Sequence, residues 1–111
     1  DKHKIIACFE LHTFSSLNSD FIHEYKDTLN NADVAIVYFS KTTLESKKMD
    51  KIELNDIVLA FNNTNLVVFN NSSKFKDYLI SMNYDNSVLL MMSSGNFGNI
   101  NFSELHKLLL K

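Results

Sequence analysis

Four short apolar runs set the terms on which this chain can fold: Ile5-Ile6-Ala7-Cys8-Phe9, Val34-Ala35-Ile36-Val37-Tyr38-Phe39, Leu66-Val67-Val68-Phe69 and Val88-Leu89-Leu90-Met91-Met92. Each is continuous rather than alternating, rich in β-branched or aromatic side chains, and closed by small polar residues. That is the pattern of strands buried on both faces, as in a parallel sheet. Helical periodicity fills the intervals. Phe21, Ile22, Tyr25 and Leu29 share one stripe, which predicts a helix over 20–32. Leu54, Ile57, Val58 and Phe61 form a second stripe, and Phe75, Tyr78, Leu79 and Met82 a third. A last helix carries Phe102, Leu105, Leu108 and Leu109, and Asn101 with Glu104 three positions on resembles a capping box at its start. The polar, lysine-rich segment 41–50 reads as a surface loop or an irregular helix.

Strands alternating with helices predict right-handed crossovers and an α/β fold: a Rossmann-like, doubly wound, mostly parallel sheet with helices on both faces. At 111 residues and 45% hydrophobic, with no linker or internal repeat, residues 1–111 read as one domain. A net charge of −2 excludes the basic face that nucleic acid demands. No apolar run approaches the roughly 18 residues of a membrane span and nothing resembles a signal peptide, so no membrane partner is expected and the compartment is read as cytoplasmic. Cys8, the lone cysteine, lies within a strand and reads as a small buried hydrophobe. His23 and His106 fall beside polar positions on helices and read as solvated, so no metal ligand and no catalytic residue is assigned. The chain has no arginine, no GxxxxGK[ST] and no GxGxxG, and therefore no recognisable phosphate cradle.

In an open parallel sheet, ligands bind beyond the carboxyl ends of the strands. Two of the loops placed there stand out. Loop 10–16 sets a carboxylate, an imidazole and hydroxyls (Glu10, His12, Thr13, Ser15, Ser16) at that edge; the plain alternative is a helix-capping serine and an exposed histidine. Loop 93–99 holds both glycines of the chain, Gly95 and Gly98, around Asn96. Its backbone N–H groups suit an anionic ligand, or it is simply a tight strand-to-helix turn. Both loops follow parallel strands and are expected to meet on one edge of the sheet.

Taken in order, these segments resemble the C-terminal domain of the Mur ligases. Residues 5–16 are similar to the family's apolar strand followed by Phe-Gln/Glu-Pro-His-Arg-Tyr-Ser-Arg, and Ala32-Asp33-Val34 to its alanine-aspartate entry into the next strand. The run Leu90-Met91-Met92-Ser93-Ser94-Gly95-Asn96-Phe97-Gly98-Asn99-Ile100 resembles the family's Gly-x-Gly-Asp-Ile-Gly turn, and more closely the Met-Ser-x-Gly-Gly-Phe-Gly-Gly-Ile run of the muropeptide ligases. The chain departs from the pattern at Leu11, where the family has proline, at Thr13 and Ser16, where it has arginine, and at Ser93 and Asn96.

The resemblance implies that 1–111 is the acceptor-binding, substrate-closing domain of a larger ATP-dependent enzyme of peptidoglycan synthesis or recycling. That enzyme joins a peptide such as L-Ala-γ-D-Glu-meso-diaminopimelate, or an amino acid, to UDP-N-acetylmuramate. N-terminal and central domains would hold the UDP-sugar, ATP and Mg2+, none of them bound by this domain alone. His12, Thr13, Ser15, Gly95, Asn96 and Gly98 would line the acceptor pocket. The rival reading is a stand-alone flavodoxin-like or receiver-like binding module. A receiver wants an acidic phosphoacceptor at a strand end, whereas the second and third runs lead into Ser40-Lys41 and Asn70-Asn71.

Overall fold

The computed structural model of the protein describes residues 3–11, 22–40, 54–93 and 97–109. Strands β1 (Lys4–Glu10), β2 (Val34–Tyr38), β3 (Val67–Phe69) and β4 (Ser87–Met92) form a four-stranded sheet in the order β3-β2-β1-β4. Every pairing is parallel. Helices α1 (Leu54–Phe61), α2 (Ser72–Ser81) and α3 (Phe102–Leu109) accompany it, with a short 3-10 turn at Ile22–Tyr25. This is the Rossmann-like α/β class that the alternation of strands and helices predicts.

The pleat divides the core in two, because successive side chains along a strand point to opposite faces. On one face Ala7, Ala35 and Val37 meet Ile57 and Phe61 of α1, with Ile22 and Leu29 beside them. On the other, Ile6, Cys8, Ile36 and Tyr38 meet Phe75 and Leu79 of α2 and Leu105 of α3. Helices thus cover both faces. Aromatic rings tighten the first layer: Tyr25 stacks on Phe61 at 5.3 Å, and Phe9 stands edge-on to Tyr25 at 5.3 Å.

Two helix starts are capped by asparagine. Asn71 has an extended backbone and its Oδ1 accepts the Lys74 N–H at 3.1 Å. Asn101 Oδ1 accepts the Glu104 N–H at 3.0 Å. The Glu104 carboxylate reaches Lys76 Nζ at 2.9 Å, tying α3 to α2. Replacing Asn71 by alanine removes the acceptor of one otherwise unsatisfied N–H and is expected to cost about 1 kcal/mol. A urea midpoint unchanged in Asn71→Ala would show that this cap contributes nothing.

Two expectations need correction. The helix expected over 20–32 is, in its described part, a 3-10 turn followed by further turns. Lys26, Thr28, Asn30 and Ala32 each donate to the carbonyl three residues back. The Asp27 N–H instead donates to Phe61 O at the end of α1 (2.9 Å), and Asp27 has φ of 64°. Its carboxylate collects Asn30 Nδ2 and Asn62 Nδ2, both at 3.1 Å. A tertiary bond thus takes the donor that an α-helix would have used. The second correction is β4, which is not buried on both faces: Val88, Leu90 and Met92 are 41, 42 and 37% exposed. It is an edge strand, and α1 packs farther along the sheet, against β3. The 41–50 segment lies outside the described residues.

Candidate functional site

The strand order places the site. From β1 the chain moves to β2 on one side, and it returns later to put β4 on the other. The direction of winding reverses between β1 and β4, and in open α/β sheets the crevice at that reversal receives ligands. At its floor stands Glu10, the last residue of β1, only 4% exposed. Its Oε1 accepts the Ser93 hydroxyl at 2.6 Å and the Phe97 N–H at 2.8 Å. Burying a carboxylate is costly, and short charge-assisted hydrogen bonds of this kind are what offset it.

The turn between β4 and α3 has an unusual backbone. Phe97, Gly98 and Asn99 are successive left-handed residues, with φ of 53°, 72° and 66°. The Phe97 ring is buried, stacked on Phe75 at 5.4 Å and 6.3 Å from the Tyr38 ring. Gly98 is the position where both properties of glycine are used. Its φ is positive, and a Cβ there would lie 2.6 Å from the Tyr38 hydroxyl and 2.9 Å from Ser72 Cβ. Tyr38 itself is buried at the end of β2, hydrogen-bonded by Ser40 and Ser72. Burial, and then the negative charge of Glu10, push its hydroxyl above the usual phenol range, so it stays protonated at neutral pH.

Leu11 extends the same arrangement. It is buried, and its N–H donates to Tyr38 O at 2.9 Å. Proline, the residue of the resembled pattern, has no N–H to give. This departure therefore continues the β1–β2 ladder one residue further toward the site.

The two loops singled out in the sequence come together through their described members, Glu10 from one and Ser93 and Phe97 from the other. His12, Thr13, Ser15, Gly95 and Asn96 lie outside the described residues; Gly98 is described, and its nearest neighbours are Tyr38 and Ser72. The anion expected at the glycine turn has an internal counterpart, because the Phe97 N–H is taken by Glu10. Sequence reasoning did not single out Tyr38 or Phe97, which read as two more apolar positions. Glu10 carried a faint signal, a lone carboxylate closing an apolar strand.

Elsewhere the chemistry is thin. Cys8 is fully buried, which pushes its thiol up to about 12 and keeps it from acting as a thiolate. His23 and His106 are exposed, and among the described residues no three metal-binding side chains converge. A recess of about 250 Å3 at the opposite edge is lined by amides, including Asn30, Asn62 and Asn63. No helix among the described residues is long and apolar enough to cross a membrane. No protein-family model, no curated protein and no solved structure matches the chain.

Proposed function

We propose that this chain is the acceptor-binding, C-terminal domain of an ATP-dependent ligase that joins a peptide or an amino acid to UDP-N-acetylmuramate, in the manner of the Mur ligases. The observation that carries the reading is the Glu10–Ser93–Phe97 tie. It draws together, at the ligand-binding edge, the two segments whose sequences carry the resemblance. The domain's work in this reading is positional. Its two loops hold the incoming amine against the activated muramyl carboxylate, and holding two reactants in register is a large part of lowering such a barrier. The amide N–H of Phe97 and the arginine-free sequence do not fit a triphosphate at this turn. ATP and Mg2+, which supply the activation of the carboxylate, belong in this reading to the central domain.

The test uses the complete protein that carries this domain. Its coding sequence should include a GxxGKT-type phosphate loop upstream of Asp1. The purified enzyme should release ADP from ATP only when UDP-N-acetylmuramate and the tripeptide acceptor are both present. The 111-residue chain by itself should turn over no ATP. Turnover by the isolated chain would overturn the reading, as would a complete protein without acceptor-dependent ADP release. A gene encoding no phosphate loop would favour the stand-alone binding module instead.

A further inference from the structure

We infer that Glu10 is the positioning residue of the site: its buried carboxylate holds the strained turn 97–99 in the conformation that receives the acceptor. The inference rests on the ligase reading for the identity of the acceptor, but its structural half stands on three independent observations.

First, Glu10 is a charged side chain placed where charge is expensive, at the carboxyl end of the central strand β1 and 4% exposed. Second, two hydrogen bonds tie it to one loop: from Ser93 Oγ where β4 ends, and from the Phe97 N–H where the turn begins. A side chain serving only the packing of β1 would have no reason to be acidic. Third, the loop it grips is held against its own preference. A phenylalanine with φ of 53° sits in the left-handed region that side chains with a Cβ avoid. Such conformations persist only where surrounding contacts over-determine them, and they concentrate at functional sites. Here those contacts are the Glu10 hydrogen bond on the backbone and the Phe75 stack on the ring.

The chemistry follows from the geometry. One carboxylate oxygen bridges a hydroxyl and an amide on the two sides of residues 94–96, setting how far apart the ends of that segment stand. Without it, the turn is free to relax toward ordinary backbone angles, and the edge facing the acceptor loses its shape. Glu10 touches no reacting atom in this scheme, so it governs how the acceptor is held and leaves ATP handling alone.

The experiment has two arms. In the 111-residue chain, amide hydrogen exchange is followed residue by residue in the parent, Glu10→Ala and Glu10→Gln. The Phe97 amide should exchange faster in Glu10→Ala by roughly 10-fold or more, as expected for a lost bond to a charged acceptor. Amides in the middle of β1 and β2 should hold their rates. Glu10→Gln keeps a carbonyl oxygen able to accept, and should restore much of the protection. In the complete ligase, Glu10→Ala should raise KM for the peptide acceptor by roughly 10- to 100-fold, the scale set by misplacing a reactant. KM for ATP should stay within about twofold, and Glu10→Gln should lie close to the parent. Unchanged Phe97 exchange in Glu10→Ala overturns the positioning role. So does acceleration spread evenly over the sheet, or an equal rise in both Michaelis constants, since each describes mere destabilisation. A parent enzyme without ligation overturns the ligase reading and the acceptor half of this inference together, while the exchange arm still decides whether Glu10 holds the turn.

Discussion

Phe97→Ala is expected to lower the stability of the chain by about 3–5 kcal/mol, the range for deleting a fully buried aromatic ring. The ring is 1% exposed, stacks on Phe75 at an interplanar angle of 16°, and stands edge-on to Phe102 at 6.3 Å. Its removal leaves a cavity between α2 and α3 that the rigid sheet beneath cannot close. The strain of a positive φ remains, because alanine also carries a Cβ. Against a total stability of about 5–15 kcal/mol for a typical domain, this is a large share, and Tm should fall by about 15 °C or more. Phe102→Ala is the control. Phe102 is 44% exposed and should cost roughly 1–2 kcal/mol, in line with its smaller burial. Equal losses in the two variants would mean that the turn does not depend on the buried stack.

Gly98→Ala should be the second most damaging exchange, by roughly 2–4 kcal/mol, combining left-handed strain with a clash in a packed region. The two contributions are separable because the clash has a known partner, the Tyr38 hydroxyl 2.6 Å from the new Cβ. In a Tyr38→Phe background that oxygen is gone and Ser72 remains close, its Cβ at 2.9 Å. The cost of Gly98→Ala should then shrink by about 1 kcal/mol, a coupling of the size found between touching residues. Urea unfolding of the four proteins in the cycle measures it. An identical cost in both backgrounds would clear the Tyr38 hydroxyl and leave the effect to the backbone angle and the Ser72 contact.

Much of the fold was legible because its signals are local. The four apolar runs become strands within a residue or so of where they were read, and the stripes beginning at Leu54, Phe75 and Phe102 become helices. What escaped was non-local. Asp27 gives its N–H to Phe61, and no periodicity over 21–29 can foresee a donor claimed by another helix. The exposed side of β4 follows from its place at the edge of the sheet, which a continuous apolar run does not encode. The same holds at the candidate site. Gly98 could be picked out because glycine is rare here, and the meeting of the two loops followed from parallel strands. Glu10 found its meaning only once Ser93 and Phe97, distant in sequence, were placed beside it.

The separation between those partners has a consequence during synthesis. Glu10 lies 83 residues before Ser93 and 87 before Phe97, and β1 needs β4 to complete one of its two edges. At the usual pace of about 5–20 residues per second, the ribosome makes β1 many seconds before β4. Through that interval the emerging chain offers an open strand edge of the kind that recruits other nascent chains into aggregates. Glu10 closes that strand with a carboxylate, and a charge flanking an apolar strand is one of the features that disfavour such pairing.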